Sequence, residues 1–258
     1  MNPHTALGTA QIIFYVPIVP LAIWLMRRNG WKHPKMAWWP FIPFSLIRLA
    51  GGPLVIALQK DPTNVGLAIA AIICLNVGVV PLVIAASGFL RIVIIDNFNE
   101  HEHARKTHKA LRFFTIVAVG LLAAGGALGG QEDQKLRSTG RGLSFAGYSL
   151  FTIQLVAIVV VAAHFYGIRS RLLPSSRRVI LALFVASPFL VIRTVYGFLQ
   201  VQHQENPLSR WNPLYGSAPL FAGMALLMEY IALVVFMGVG FSIPPDRGVP
   251  SKPITSET

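Results

Sequence analysis

Acidic side chains are scarce in this chain, ten in 258 residues, and cysteine is scarcer, with one. The single thiol, Cys74, excludes an intrachain disulfide. It lies in an apolar run, where a small apolar role suits it. Charged residues make up only 12% of the chain, about half the share of a soluble domain. No stretch outside the apolar runs is long enough to bury a core of its own. A G-x-S-x-G elbow, a P-loop and a dinucleotide fingerprint are all absent. No lysine lies within an apolar run, which excludes a retinal Schiff base. His164 alone among the histidines lies within one, which disfavours a haem held by two histidines. No basic segment precedes the first apolar run, so a cleaved signal peptide is not expected.

What is present in quantity is hydrocarbon. The chain is 54% hydrophobic, with mean hydropathy +0.59. A membrane span needs about 20 apolar residues. Seven such runs are legible, at 8–26, 38–59, 65–95, 110–130, 143–167, 178–200 and 217–241. The expected fold is therefore an all-α, polytopic membrane protein with seven transmembrane helices over residues 1–241. The third run is long and contains Pro81, which predicts tilt or a kink. The remaining segment, 242–258, is rich in Pro and Ser and reads as a disordered tail.

The formal charge of +12 is sorted by side, so it does not call for a nucleic-acid partner. The connections after the first, third and fifth runs, with the tail, hold 14 Lys and Arg; the opposite connections hold 5. The positive-inside rule then puts the N-terminus outside and the tail in the cytosol.

Within the runs lie three charges that cannot face lipid cheaply: Arg48, Arg193 and Glu229. Each costs about 2.5–3.5 kcal/mol near the centre of a span. They must therefore face one another, other polar groups or a wet cavity. At helical spacing Glu229 shares a face with Ala222, Ala225, Ala232 and Phe236. Arg193 shares one with Tyr196, Gly197 and Gln200, and Arg48 with Ser45, Gly51 and Gly52. Asn76 and Gln154 are mid-span polar residues, either interhelical hydrogen-bonding partners or ligand contacts. Two readings stay open: an ion pair that fixes helix register, or a pocket in which the surplus cation meets a polar or anionic ligand. The segment "DNFNEHEHARKTH" (96–108) gathers acids and histidines, but it lacks the H-E-x-x-H spacing and reads as a solvated face. No metal and no cofactor is expected.

"FSLIRLAGG" (44–52), "SPFLVIRTVYGFLQ" (187–200) and "MEYIAL" (228–233) resemble three recurring blocks of a fungal seven-helix membrane family. That group is similar to the membrane-bound terpene cyclases of ascofuranone-type meroterpenoid biosynthesis. The resemblance implies a cofactor-free isomerase, located in the endoplasmic reticulum, that takes a prenylated aromatic bearing a terminal epoxide from the bilayer. An acid protonates the epoxide oxygen and an internal nucleophile closes the ring. Under that chemistry Glu229 is the candidate acid, provided the arginines are not tightly paired with it. Arg193 or Arg48 would bind the oxygens of the aromatic head. Tyr196 and Tyr230 would relay a proton or shield a cation. Phe236 would shape the pocket, with Asn76, Gln154 and Gln200 among the substrate contacts. The competing classes are a transporter or lipid-binding receptor with a polar midplane site, and a structural membrane protein.

Overall fold

The structure is a computed structural model that describes residues 2–29, 35–98, 102–131, 133–204, 206, 208–245 and 247. Among these residues all regular structure is helical. The elements are α1 (Pro3–Asn29), α2 (Lys35–Trp38), α3 (Phe41–Lys60), α4 (Val65–Asn76), α5 (Val79–Phe98), α6 (Glu102–Gly129), α7 (Gln134–Gly167), α8 (Pro174–Gln202), α9 (Ala218–Phe221) and α10 (Met228–Ser242). A π-helical segment, Ala222–Leu227, joins α9 to α10. Seven helical stretches are long and apolar enough to span a membrane: α1, α3, α4 with α5, Lys109–Gly129 of α6, α7, α8, and α9 through α10. This is a seven-helix integral membrane protein. The tail expected to be disordered falls mostly outside the described residues; of the His-rich segment, residues 99–101 do, and the rest lies at the end of α5 and the start of α6.

The outer faces carry exposed Ile13, Phe14, Trp24, Phe113, Ile116, Ile153, Val156 and Val160. Apolar side chains turned outward are what a bilayer solvates. Helix pairs approach where both partners lack side chains. A Cβ on Gly8 of α1 would stand 2.8 Å from the carbonyl oxygen of Gly52 on α3, and one on Gly125 of α6 would stand 2.7 Å from that of Gly140 on α7. The small residues around Arg48 thus serve backbone contact between helices. The most buried span is α8, which packs against α5, α7 and α10.

The third span breaks as its proline predicts, but three residues earlier. Pro81 lies in the first turn of α5, and its ring excludes the carbonyl four residues back, that of Val77. That carbonyl accepts instead from Val80 N, at 3.2 Å, and α4 ends at Asn76. The turn at 77–78 sits inside the bundle, and Gly78 is buried.

The start of α1 and the end of α10 lie at opposite ends of the bundle. At the N-terminal end His4 Nε2 contacts the Gly216 carbonyl at 3.2 Å. At the tail end Arg28 and Asn29 donate to the carbonyls of Gly240 and Phe241, closing the C-terminus of α10. Arg247 pairs with Asp96 there at 3.0 Å.

Candidate functional site: a buried ion triad beside a lipid-facing cavity

The three intramembrane charges meet. Arg48 Nη2 pairs with Glu229 Oε2, and Arg193 Nε donates to Glu229 Oε1. All three side chains are fully buried. Each helix turns its charge inward by its own pattern. On α3 the buried positions Phe41, Phe44, Ser45, Arg48, Gly51, Gly52 and Val55 recur at helical spacing. On α8 Leu190, Arg193, Thr194, Tyr196, Gly197 and Val201 do the same. On the seventh span Phe221, Ala225 and Glu229 are buried four apart, then Ala232, Leu233 and Phe236. Two steps of four drift around a regular α-helix; the wider π turn between Phe221 and Met228 holds them on one face. Ala222, expected on that face, is only half-buried.

Gly78 makes the meeting possible. A Cβ there would coincide with Arg48 Nη2 and both carboxylate oxygens of Glu229. The break between α4 and α5 therefore brings bare backbone against the ions. Arg48 Nη1 also reaches the Cys74 carbonyl at 3.4 Å. Tyr15 of α1, buried with its hydroxyl unpaired among the described residues, lies in electrostatic range of Arg48, Glu229 and Tyr230.

This geometry bears on the acid expected at Glu229. Both carboxylate oxygens face guanidinium groups, the tight pairing that the acid role was expected to lack. Protonating Glu229 would leave two buried cations without a counter-ion. Glu229 is built here as a counter-ion.

A cavity of about 470 Å³ opens on the N-terminal side of the triad, a size suited to one small organic ligand. Its walls come from α4 and the turn after it (Ile72, Asn76, Val77), α6 (Val119, Leu122, Gly126), α7 (Ser144, Tyr148) and α8 (Gln200, Val201), and the loop residues Asn212, Pro213 and Tyr215 close its end. Ala123 and Gly126 line it while standing exposed on the bundle surface, so it communicates with the lipid-facing side. Gln200 Nε2 donates to Asn76 Oδ1 at 2.6 Å along the wall.

The residues expected around one substrate are divided by the structure. Asn76 and Gln200 line the cavity. Arg48, Arg193 and Glu229 form its buried neighbour. The other four stand apart from the cavity wall. Gln154 donates to Ser87 Oγ at 2.7 Å and Thr115 Oγ1 at 2.6 Å, tying α7 to α5 and α6. Tyr196 donates to the Trp211 carbonyl at 3.0 Å. Tyr230 packs on Phe14 and Tyr15. Phe236 is buried against Phe41 and Phe89, in the apolar core toward the tail end.

Two residues of the site escaped the sequence reading. Gly78 is one of 22 glycines, and only the break beside it marks it. Tyr148 lies on the buried stripe Ser144, Tyr148, Phe151, Leu155, Ile158, a heptad-like pattern that could have shown it faces inward. Among the described residues no cluster of His, Cys, Asp or Glu could hold a metal ion.

Comparison with known families matches the chain to a domain of unknown function, DUF7702, over residues 1–246. No curated protein and no solved structure matches.

Proposed function

The chain belongs to the DUF7702 family, and we propose that it takes a lipophilic small molecule with a polar head from the bilayer into the cavity walled by α4, α6, α7 and α8. The observation that carries this reading is the cavity itself. Apolar walls meet a few polar groups, Asn76, Gln200, Ser144 and Tyr148, at its inner and N-terminal surfaces, the composition of a ligand site. Exposed Gly126 opens it toward lipid, and Asn212, Pro213 and Tyr215 of the loop stand at its N-terminal end.

The activity that fits best is cofactor-free ring closure of an epoxyprenylated aromatic. Its support is that the three blocks resembling a fungal seven-helix family, a group similar to those cyclases, are the segments that carry Arg48, Arg193 and Glu229. In such a reaction an acid gives its proton to the epoxide oxygen as the C–O bond breaks. An internal hydroxyl or alkene supplies the electron pair that closes the ring, and the proton that this group releases restores the acid. Product and substrate are isomers. Tyr148, His203 and Tyr215 are the ionisable side chains on the cavity wall, and the triad fixes the helices behind them. An endoplasmic reticulum location and an aromatic prenyl substrate belong to the same proposal.

The test uses purified protein in detergent and a photoactivatable prenyl phenol. Labelling should fall on α6–α8 and drop at least ten-fold in Gly126→Trp. A Cβ at Gly126 meets nothing within 4 Å, so a larger side chain can start there without a backbone clash, at the rim of the cavity. Labelling on α1 and α10, unchanged by that substitution, would remove the cavity reading. Conversion of an epoxyprenyl phenol to a product of equal mass, lost in the same variant, is the outcome expected of the cyclase; its absence with labelling intact leaves a binding protein.

A further inference from the structure

The triad holds more positive charge than it neutralises. Two guanidinium groups face one carboxylate. The surplus is matched by unused donors. Arg193 Nη1 and Nη2 are buried and donate to nothing among the described residues. Its Nε is taken by Glu229, and the Tyr196 ring lies 5.8 Å from its guanidinium carbon. Two parallel N–H groups on one planar cation form the fork that a carboxylate fits in bidentate fashion.

One side chain belongs both to the cavity wall and to the surroundings of Arg193. Tyr148 lines the cavity, and its ring lies over Gly197, one turn along α8 from Arg193. Its hydroxyl is 2.8 Å from where a Cβ on Gly197 would be, so the ring occupies space that any larger residue at 197 would fill. It is also in electrostatic range of Arg193. Among the described residues no hydrogen bond holds that hydroxyl in place.

We infer that the ligand of this cavity is a single-chain lipophilic carboxylate, whose oxygens reach the Nη1 and Nη2 pair of Arg193 when Tyr148 turns off Gly197. The inference rests on the cavity reading and narrows it to an anionic head. An anionic phospholipid offers similar oxygens, but a cavity of about 470 Å³ suits one chain better than two.

The probes are 4-dodecylbenzoate and its neutral methyl ester, with binding to detergent-purified full-length protein measured by calorimetry. The acid should bind at least about ten-fold more tightly than the ester, the scale of a hydrogen bond to a charged group. Arg193→Gln leaves Arg48 and Glu229 as a balanced pair and should bring the ratio near one. Arg193→Lys, which keeps the charge, should restore part of it. Should Arg193→Gln fail to fold, Tyr148→Leu clears the passage without touching the ions and should raise the acid-to-ester ratio; an unchanged ratio there overturns the inference. Equal binding of acid and ester by the native protein overturns it while the cavity reading stands. Binding of neither removes both. Phosphatidate in mixed micelles competing as well as the benzoate overturns the single-chain assignment.

Discussion

At the scale of single residues, the three charges were legible because nothing else in a hydrophobic run explains them. A carboxylate inside a span has few stable arrangements, and facing arginines is one. What sequence spacing could not show was that both arginines would close on the same carboxylate. That detail reverses an expectation about substitution. Glu229→Gln exchanges an ion for a neutral amide, which is ordinarily cheaper to bury. Here it strands two guanidinium groups in a buried interior, and breaking a buried pair from one side costs about 3–5 kcal/mol. Thermal unfolding in detergent should show Glu229→Gln to be the least stable of the charge variants. Arg193→Gln should be less harmful, since the pair of Arg48 and Glu229 remains neutral. A Glu229→Gln protein as stable as the native one would mean that the ions do not hold the helices.

At the scale of elements, the breaks matter more than the helices. Pro81 announced a disturbance in the third span. The rule that a proline excludes the carbonyl four residues earlier moves that disturbance to Val77 and Gly78, where α4 stops. The π turn before Glu229 had no comparable signal, because Ala222–Leu227 contains no residue that demands it. It follows from tertiary demand, the need to keep Phe221, Ala225 and Glu229 on one buried face. A pair of glycine substitutions separates site from scaffold. Gly78→Ala places a methyl group on the ions, so Arg48 or Glu229 must move; a loss of about 3–5 kcal/mol is expected, as for a broken buried pair. Gly238→Ala meets nothing within 4 Å and should be neutral or stabilising by up to about 1 kcal/mol, from helix propensity alone. Comparable melting temperatures for the two variants would show that Gly78 is not under the constraint its position implies.

At the scale of the whole molecule, the seven spans were legible in number and place, because hydrocarbon thickness sets a length that composition reveals, though the fifth helix begins at Gln134 and not at 143. The cavity was not. It arises where α6 and α8 stand apart beside the α4–α5 break, and no local pattern encodes the distance between two helices that are remote in sequence. Orientation lies between these cases. The bundle has its first residues and the end of α10 at opposite ends, as an odd number of spans requires. The connections at the tail end carry 14 of the basic residues against 5 at the other end. Positively charged loops resist translocation, so the tail end should face the cytosol and the N-terminus the lumen or exterior. The cavity, on the N-terminal side of the triad, would then open toward the outer half of the bilayer. A glycosylation acceptor site fused ahead of residue 1 should be modified, and one fused after residue 258 should not. In sealed microsomes, protease added outside should remove a C-terminal epitope and spare an N-terminal one. The reverse pattern would invert the protein and place the cavity in the cytosolic leaflet. Loss of both epitopes would require an even number of spans, and the seven-span bundle could not survive it.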